Sequence, residues 1–303
     1  MLKYPTSAKT NGLILGLSAY LAWGMMPLYF VMVREIQPWQ MLCHRVVWSF
    51  LFLLTLILSM SKWQAFCSVW RNKKTLGLLA ITAILIAGNW LLYIMAVSNR
   101  QVQQASLGYY ISPVLTVFMG MAILGEKMRP LQWASLCVAL AGASYLTYVV
   151  GIIPYLAIGL ALTFSLYGII RKLAKIDAVV GLAWETTILL PIGMAGISGS
   201  ILANAEVFSL SPQGFWIASS GIITILPLLL FTAASQRLPM ILIGFFQYLS
   251  PTIQLAIATM LLNEDFDSTR LPGFLMIWIA LFVFCTDTII FYYNGVRNEN
   301  ISI

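Results

Sequence analysis

Apolar runs of membrane-crossing length, separated by short polar breaks, set the pattern of this chain. No Asp, Glu, Lys or Arg occurs from Asn11 to Val33, Thr75 to Asn99, Gln101 to Gly125 or Pro130 to Ile170, and about 20 apolar residues suffice to cross the hydrocarbon of a bilayer. The last of these runs is 41 residues long, enough for two passes folded at Gly151 to Pro154. With the interrupted stretches added, the pattern predicts ten helices, at about 11 to 33, 40 to 61, 76 to 98, 103 to 125, 131 to 149, 154 to 171, 179 to 199, 215 to 235, 239 to 262 and 272 to 293. Prolines fall inside these helices at Pro27, Pro113, Pro191, Pro227 and Pro251. Each removes a backbone donor and crowds the preceding turn, which membrane helices tolerate where neighbours or cavity water satisfy the freed carbonyls.

Charge fixes the expected orientation. Counted by alternate loops, one side holds thirteen basic residues: Lys3, Lys9, Lys62, Arg71, Lys73, Lys74, Lys127, Arg129, Arg171, Lys172, Lys175, Arg237 and Arg297. The other side holds Arg34, Arg100 and Arg270, and only Arg45 lies inside an apolar segment. The positive-inside rule then puts both termini in the cytoplasm. One missed or invented helix would scramble this alternation.

Composition adds the class. At 60% hydrophobic and 9% charged residues, the chain lacks the polar surface that coats a water-soluble globule. The net charge of +7 is dispersed over several loops and reads as a topology signal, excluding nucleic acid as a partner. The first apolar run is too long for a signal-peptide core and reads as a retained helix. Cys43, Cys67, Cys137 and Cys285 have no paired or metal-like spacing, so neither a disulfide nor a bound cofactor is expected.

The chain also matches itself. A shift of 138 residues places Ser112-Pro113 on Ser250-Pro251 and Glu126 on Glu264. A shift of 137 places Ser98 and Arg100 on Ser235 and Arg237, and one of 144 places Trp23-Gly24 on Tyr167-Gly168. Two five-helix repeats are expected, residues 1–150 and 151–303. Because five is odd, the second copy enters the membrane from the opposite side, an inverted repeat suited to alternating access around a central site.

An ionisable pair, His44-Arg45, sits in the second predicted helix, about 6 to 8 Å from its outer end. Such groups are costly at membrane depth unless a polar cavity or partner offsets them. Arg45 either snorkels to the headgroups or faces a cavity and binds substrate, and His44 is either a proton-linked switch or a packing residue. Glu185 occupies the position of Arg45 in the second repeat at a shift of 140. Inversion puts it roughly 9 Å from the inner face, about 13 Å from Arg45 along the normal of a ~30 Å core. Glu185 is a candidate proton-coupling group, or else a structural partner of Arg171 or Lys172. Asp287 lies near the same level, a second candidate for coupling or a structural acid. Asn89, Gln247, Tyr248 and Gln254 are polar positions that would be costly facing lipid. Trp23, Trp48, Trp90, Tyr93, Tyr110, Tyr167 and Trp184 offer stacking surfaces for an aromatic or amphipathic substrate.

Several of these stretches resemble one family. Cys43-His44-Arg45-Val46-Val47-Trp48-Ser49, Gly88-Asn89-Trp90-Leu91-Leu92, Ala105-Ser106-Leu107-Gly108-Tyr109-Tyr110, Leu124-Gly125-Glu126, Tyr167-Gly168-Ile169-Ile170-Arg171-Lys172, Phe231-Thr232-Ala233-Ala234 and Gly244-Phe245-Phe246-Gln247-Tyr248 are similar to the RarD proteins. These form part of the EamA branch of the drug/metabolite transporter superfamily. The likeness runs in order from about Gly12 to Asp287; Cys43 departs from it, where the family pattern has a threonine. The resemblance implies a ten-helix permease of the bacterial inner membrane with a cavity between two EamA repeats, moving metabolites or chloramphenicol-like drugs. It also implies that Glu126 and Glu264 are architectural.

No zinc-type His cluster, phosphate-binding Gly-Lys loop or nucleophile elbow is present, which leaves a membrane enzyme as the rival class without its chemistry. The expectation is a secondary transporter of small organic molecules, an amino-acid permease being the alternative within the class.

Overall fold

The computed structural model describes residues 6–98, 102–151, 155–202, 212–262 and 266–301. Among these the chain is helical: α1 Thr6–Gly24, α2 Met26–Met32, α3 Pro38–Ser59, α4 Trp63–Val69, α5 Lys73–Ser98, α6 Val102–Leu124, α7 Pro130–Val150, α8 Tyr155–Ala174, α9 Ala178–Leu202, α10 Pro212–Ser235, α11 Met240–Gln247, α12 Leu249–Met260 and α13 Leu271–Ile301. Ten spans are long and apolar enough to cross a membrane, α1 with α2 and α11 with α12 each counting as one. Most of the expected fold-back at Gly151 to Pro154, the mate position Arg100 and the acids Glu264 and Asp265 lie outside the described residues.

Three local features depart from ten plain helices. The first span breaks at Met25, where Pro27 enters the first turn of α2. Pro27 has no N–H for the Trp23 carbonyl, and Gln254 Nε2 from α12 donates to that carbonyl instead, at 3.0 Å. The ninth span breaks at Tyr248, three residues before Pro251, whereas Pro113 lies within a continuous α6. Finally, α4 occupies a stretch expected as loop. Its Phe66 stacks on Trp63 and on Trp184 of α9, with Trp70 on the other flank of Trp184, forming an aromatic group of the kind that sits at membrane interfaces.

The most extensive helix contacts join an element before residue 150 to one after it: α6 with α8, α7 with α13, α3 with α9 and α10, α5 with α8, and α1 with α10. The halves of the chain are interleaved. Small residues permit this: a Cβ on Gly221 of α10 would lie 2.5 Å from the carbonyl oxygen of Trp48 in α3, and one on Gly244 of α11 would lie 2.9 Å from that of Pro113 in α6. Backbones approach where side chains are absent.

Polar contacts gather at one end of the bundle. Lys62 after α3 pairs with Asp177 before α9 at 2.7 Å, Lys172 of α8 pairs with Glu126 after α6 at 3.3 Å, and Arg129 before α7 pairs with Asp287 of α13. Glu126 also accepts hydrogen bonds from the Met240 and Ile241 amides at 2.7 and 2.9 Å. Its carboxylate therefore supplies the cap that the first turn of α11 needs, where charge also complements the helix dipole. This is the basic end of the bundle.

Candidate functional site

A cavity of about 210 Å³ lies among α1, α2, α3, α5, α6, α8, α10, α11 and α12, away from the basic end. Trp23, Arg45, Asn89, Trp90 and Gln247, all expected along the pathway, line it, as do Tyr93 and Gln254. Tyr20, Tyr109, Ser112, Phe164 and Thr224 also line it and were not singled out from the sequence. An aromatic on an apolar helix carries no mark of which way it faces, so nothing local separates Tyr109 from Tyr110. For Thr224 there is one signal: a shift of 142 places Thr82 on it.

Arg45 is the charged residue of the lining. Its Nε donates to Thr224 Oγ1 at 2.8 Å, and its guanidinium carbon lies 5.2 Å from the Trp90 ring centroid. The ring face offers a cation–π contact. The titratable groups within its electrostatic reach are the phenols of Tyr29, Tyr93 and Tyr109, which are neutral near pH 7. Among the described residues no carboxylate pairs with it. The arginine therefore faces the cavity with its charge uncompensated.

The amide nitrogens of the lining are already engaged. Asn89 Nδ2 donates to the Leu160 carbonyl at 2.8 Å and to Thr163 Oγ1 at 2.9 Å, tying α5 to α8. Gln247 accepts from Ser112 Oγ and donates to Thr116 Oγ1, both at 2.9 Å. Gln254 holds the Trp23 carbonyl. These amides join helices, as polar groups in membrane bundles commonly do.

Beneath the cavity an aromatic floor closes it toward the basic end. Trp23, Phe164 and Phe231 lie with ring centroids 5.3 to 5.8 Å apart, and Phe231 stacks on the fully buried Tyr167 at 6.3 Å. Glu185 of α9 lies against the Tyr167 side of this floor. Thr82 Oγ1 donates to Glu185 Oε1 at 2.7 Å, Tyr167 Oη donates to Oε2 at 3.1 Å, and Arg171 Nε stands 3.5 Å from Oε1. Glu185 and Arg171 are both buried. A buried pair of this kind persists only when its geometry and extra hydrogen bonds offset the desolvation of both ions. Gly181 makes room for it: a Cβ there would sit 1.9 Å from Arg171 Nη1.

The remaining expected residues lie off the cavity. Trp184 donates from its indole to the Phe66 carbonyl at 2.8 Å, in the aromatic group around α4. Tyr110 packs edge-on to Phe274 of α13 and Tyr248 edge-on to Phe245, both buried. His44 is buried in α3, and the Trp48 backbone is the surface on which Gly221 sits. Asp287 is held by Arg129. Arg45 and Glu185 are not joined to each other, since Glu185 is taken by Arg171.

A bundle of ten spans with a cavity drawn from both halves of the chain is the setting in which the comparisons with known proteins fall. The sequence profile of the EamA-like transporter family matches residues 10–148. An uncharacterized transporter of Pseudomonas aeruginosa is 39% identical over 93% of this chain and 95% of its own length. Protein RarD of Salmonella typhimurium is 36% identical over 92% of this chain and 96% of its own length. The chain belongs to the RarD family of EamA-like transporters. A more distant relative, the chloramphenicol-sensitive protein RarD of Pseudomonas aeruginosa, is 27% identical over 89% of this chain and 92% of its own. A solved protein crystal structure superposes with a TM-score of 0.70, covering 91% of this chain and 97% of that one at 15% identity, a likeness of fold alone. With these relatives, the ten apolar helices make this RarD-family chain a multi-pass protein of the bacterial inner membrane and a transporter of the drug/metabolite type.

Proposed function

We propose that this protein moves small organic molecules, metabolites or chloramphenicol-like drugs, outward across the inner membrane. It would do so by alternating access between inverted repeats at residues 1–150 and 151–303. One observation carries the reading: a cavity lined from both halves of the chain and closed at one end by an aromatic floor and the buried Glu185 cluster. If the basic end faces the cytoplasm, as the positive-inside rule holds, the cavity belongs to the outward-facing state.

The helix contacts support the duplication. Exchanging each span for its mate five spans away turns the contact of α6 with α8 into that of α1 with α12, α3 with α10 into α5 with α9, and α5 with α8 into α1 with α10; all of these occur. The hydrogen bonds repeat the relation. The bond from Arg45 of α3 to Thr224 of α10 and that between Glu185 of α9 and Thr82 of α5 exchange under the same pairing of spans. The family profile stops at residue 148, close to the proposed boundary.

Glu185 is the proposed coupling residue. A proton delivered to it would remove the negative charge that offsets Arg171 and weaken the hold on Thr82 and Tyr167, loosening the closed end. Counterflow in proteoliposomes tests the carrier reading, because trans-stimulated exchange is a property of carriers and not of pores. Loss of trans-stimulation in intact, correctly folded protein would remove it. For coupling, Glu185→Gln should abolish pH dependence while exchange continues; an unchanged pH profile would dismiss Glu185 from that role.

A further inference from the structure

The charge of the cargo is written in the cavity wall. We infer that the cavity is built for a small aromatic organic anion, a ring bearing one carboxylate or equivalent acidic group. This rests on the reading of the cavity as the transport site.

Three observations carry the inference. First, among the described residues the lining holds one full charge, the Arg45 guanidinium, and no carboxylate. A desolvated cation without a carboxylate partner is costly, and the groups that act on it electrostatically are the phenols of Tyr29, Tyr93 and Tyr109. An entering anion would supply the missing charge. Second, the guanidinium is held ready to receive it. Thr224 takes the Nε–H, which leaves the Nη edge, the face that grips a carboxylate through two parallel hydrogen bonds. The amides of the wall already serve other groups, with Asn89, Gln247 and Gln254 each tying helices together, and the phenols of Tyr20, Tyr93 and Tyr109 add neutral hydroxyls to the lining. Arg45 is thus the charged group of the wall whose binding capacity remains to be used. Third, the rest of the wall is aromatic. Trp90 lies beside the guanidinium, and Trp23 and Phe164 form the floor 5.7 Å apart. A flat ring would find faces and edges there.

Size agrees with this. A cavity of roughly 150 Å³ accepts one benzene ring, and about 210 Å³ adds room for a short acidic side chain. A cation has no acid to meet in this wall, and a zwitterion would leave its ammonium without a carboxylate. The negative group of the protein nearest the floor, Glu185, is occupied by Arg171, Thr82 and Tyr167.

The test uses one ring with four charge states. Phenylacetate, phenylacetamide, phenethylamine and phenylalanine are titrated against the full-length protein in detergent, reading heat of binding and thermal stabilisation. Phenylacetate should bind at least tenfold more tightly than the amide and the zwitterion, and the amine should not bind. Arg45→Gln should bring the acid down to the level of the amide, and Arg45→Lys should restore part of the difference. Equal or tighter binding of the amide, amine or zwitterion, retention of the preference in Arg45→Gln, or binding of none of the four would overturn the inference. The carrier reading fails separately. Binding of phenylacetate without counterflow would keep the site and remove the carrier, whereas counterflow without preference for anions would keep the carrier and remove the anion.

Discussion

Arg45 and Glu185, 140 residues apart and paired by the proposed duplication, are each bonded to a threonine, Thr224 and Thr82, yet their surroundings differ. Arg45 keeps Thr224, the face of Trp90 and an open cavity. Glu185 keeps Thr82 and adds Tyr167 and Arg171, and it is not part of that cavity's lining. The difference teaches that position along a helix sets where an ionisable group enters the bundle, while its neighbours set whether it is available. A charge whose partners are complete holds the structure together; a charge whose partners are incomplete awaits a ligand.

Removing the locked carboxylate should have the largest effect on stability. Glu185→Ala leaves Arg171 buried without its counter-charge, and breaking such pairs costs about 3 to 5 kcal/mol. The apparent melting temperature in detergent should fall sharply, and adding Arg171→Met should recover most of it. If the double variant is no better than the single one, the two residues are not a coupled pair.

Arg45 should behave in the opposite way. Arg45→Gln removes an uncompensated charge, so stability should hold or rise, while counterflow falls about tenfold to a hundredfold, as loss of a charged hydrogen bond worth roughly 1.5 to 3 kcal/mol predicts. A loss of folding equal to that in Glu185→Ala would erase the distinction between the two sites.

Gly181 sharpens the comparison from the side of the backbone. Gly181→Ala places a methyl group against the Arg171 guanidinium, and overpacking of this kind costs about 1 to 3 kcal/mol. The melting temperature should drop without any change in ligand preference at Arg45. A shift in that preference would mean that the two regions communicate directly.

The smallest effect is expected at the rim of the basic end. Asp177 caps α9, accepting from the Val179 and Val180 amides at 3.0 and 3.2 Å, and pairs with Lys62. Partial burial pushes its carboxyl up, but the Lys62 ammonium and the two amides together outweigh burial and hold it below the usual range. Asp177→Ala should cost about 1 kcal/mol for the lost cap, whereas Asp177→Asn, which keeps an acceptor, should cost less than that because exposed ion pairs contribute little. A carboxylate with a lowered folded-state pKa stabilises fully above its unfolded value, about pH 3.9, and its contribution is lost as pH falls through the lower folded value. The gap between wild type and Asp177→Ala should therefore be constant near neutrality and close on acidification. A gap that widened in acid would contradict this assignment.

Parts of the site were legible before the fold. Arg45 and Asn89 announced themselves as polar groups that lipid would not tolerate, and both line the cavity. The aromatics were not legible in this way. Tyr109 and Tyr110 are chain neighbours, but a helix turns about 100° per residue, so one meets the cavity and the other meets Phe274. Trp184, picked out beside Glu185, faces α4 instead, a helix that the polar break between two spans concealed. Glu126 was read as architectural, and its amide contacts with the start of α11 give that role a physical form.

The sequence by itself determined the number of spans, because crossing a bilayer depends on the length and hydropathy of each stretch alone, and these are local properties. It also marked Arg45 and Glu185 as charges within apolar stretches, although Arg171, counted with a polar break, is fully buried within α8. Only the tertiary structure decided which of those charges was satisfied and which aromatics faced the cavity. Those outcomes depend on contacts between different helices, as between Arg171 of α8 and Glu185 of α9 or between Arg45 of α3 and Thr224 of α10, and no local pattern records which neighbour a helix face will meet.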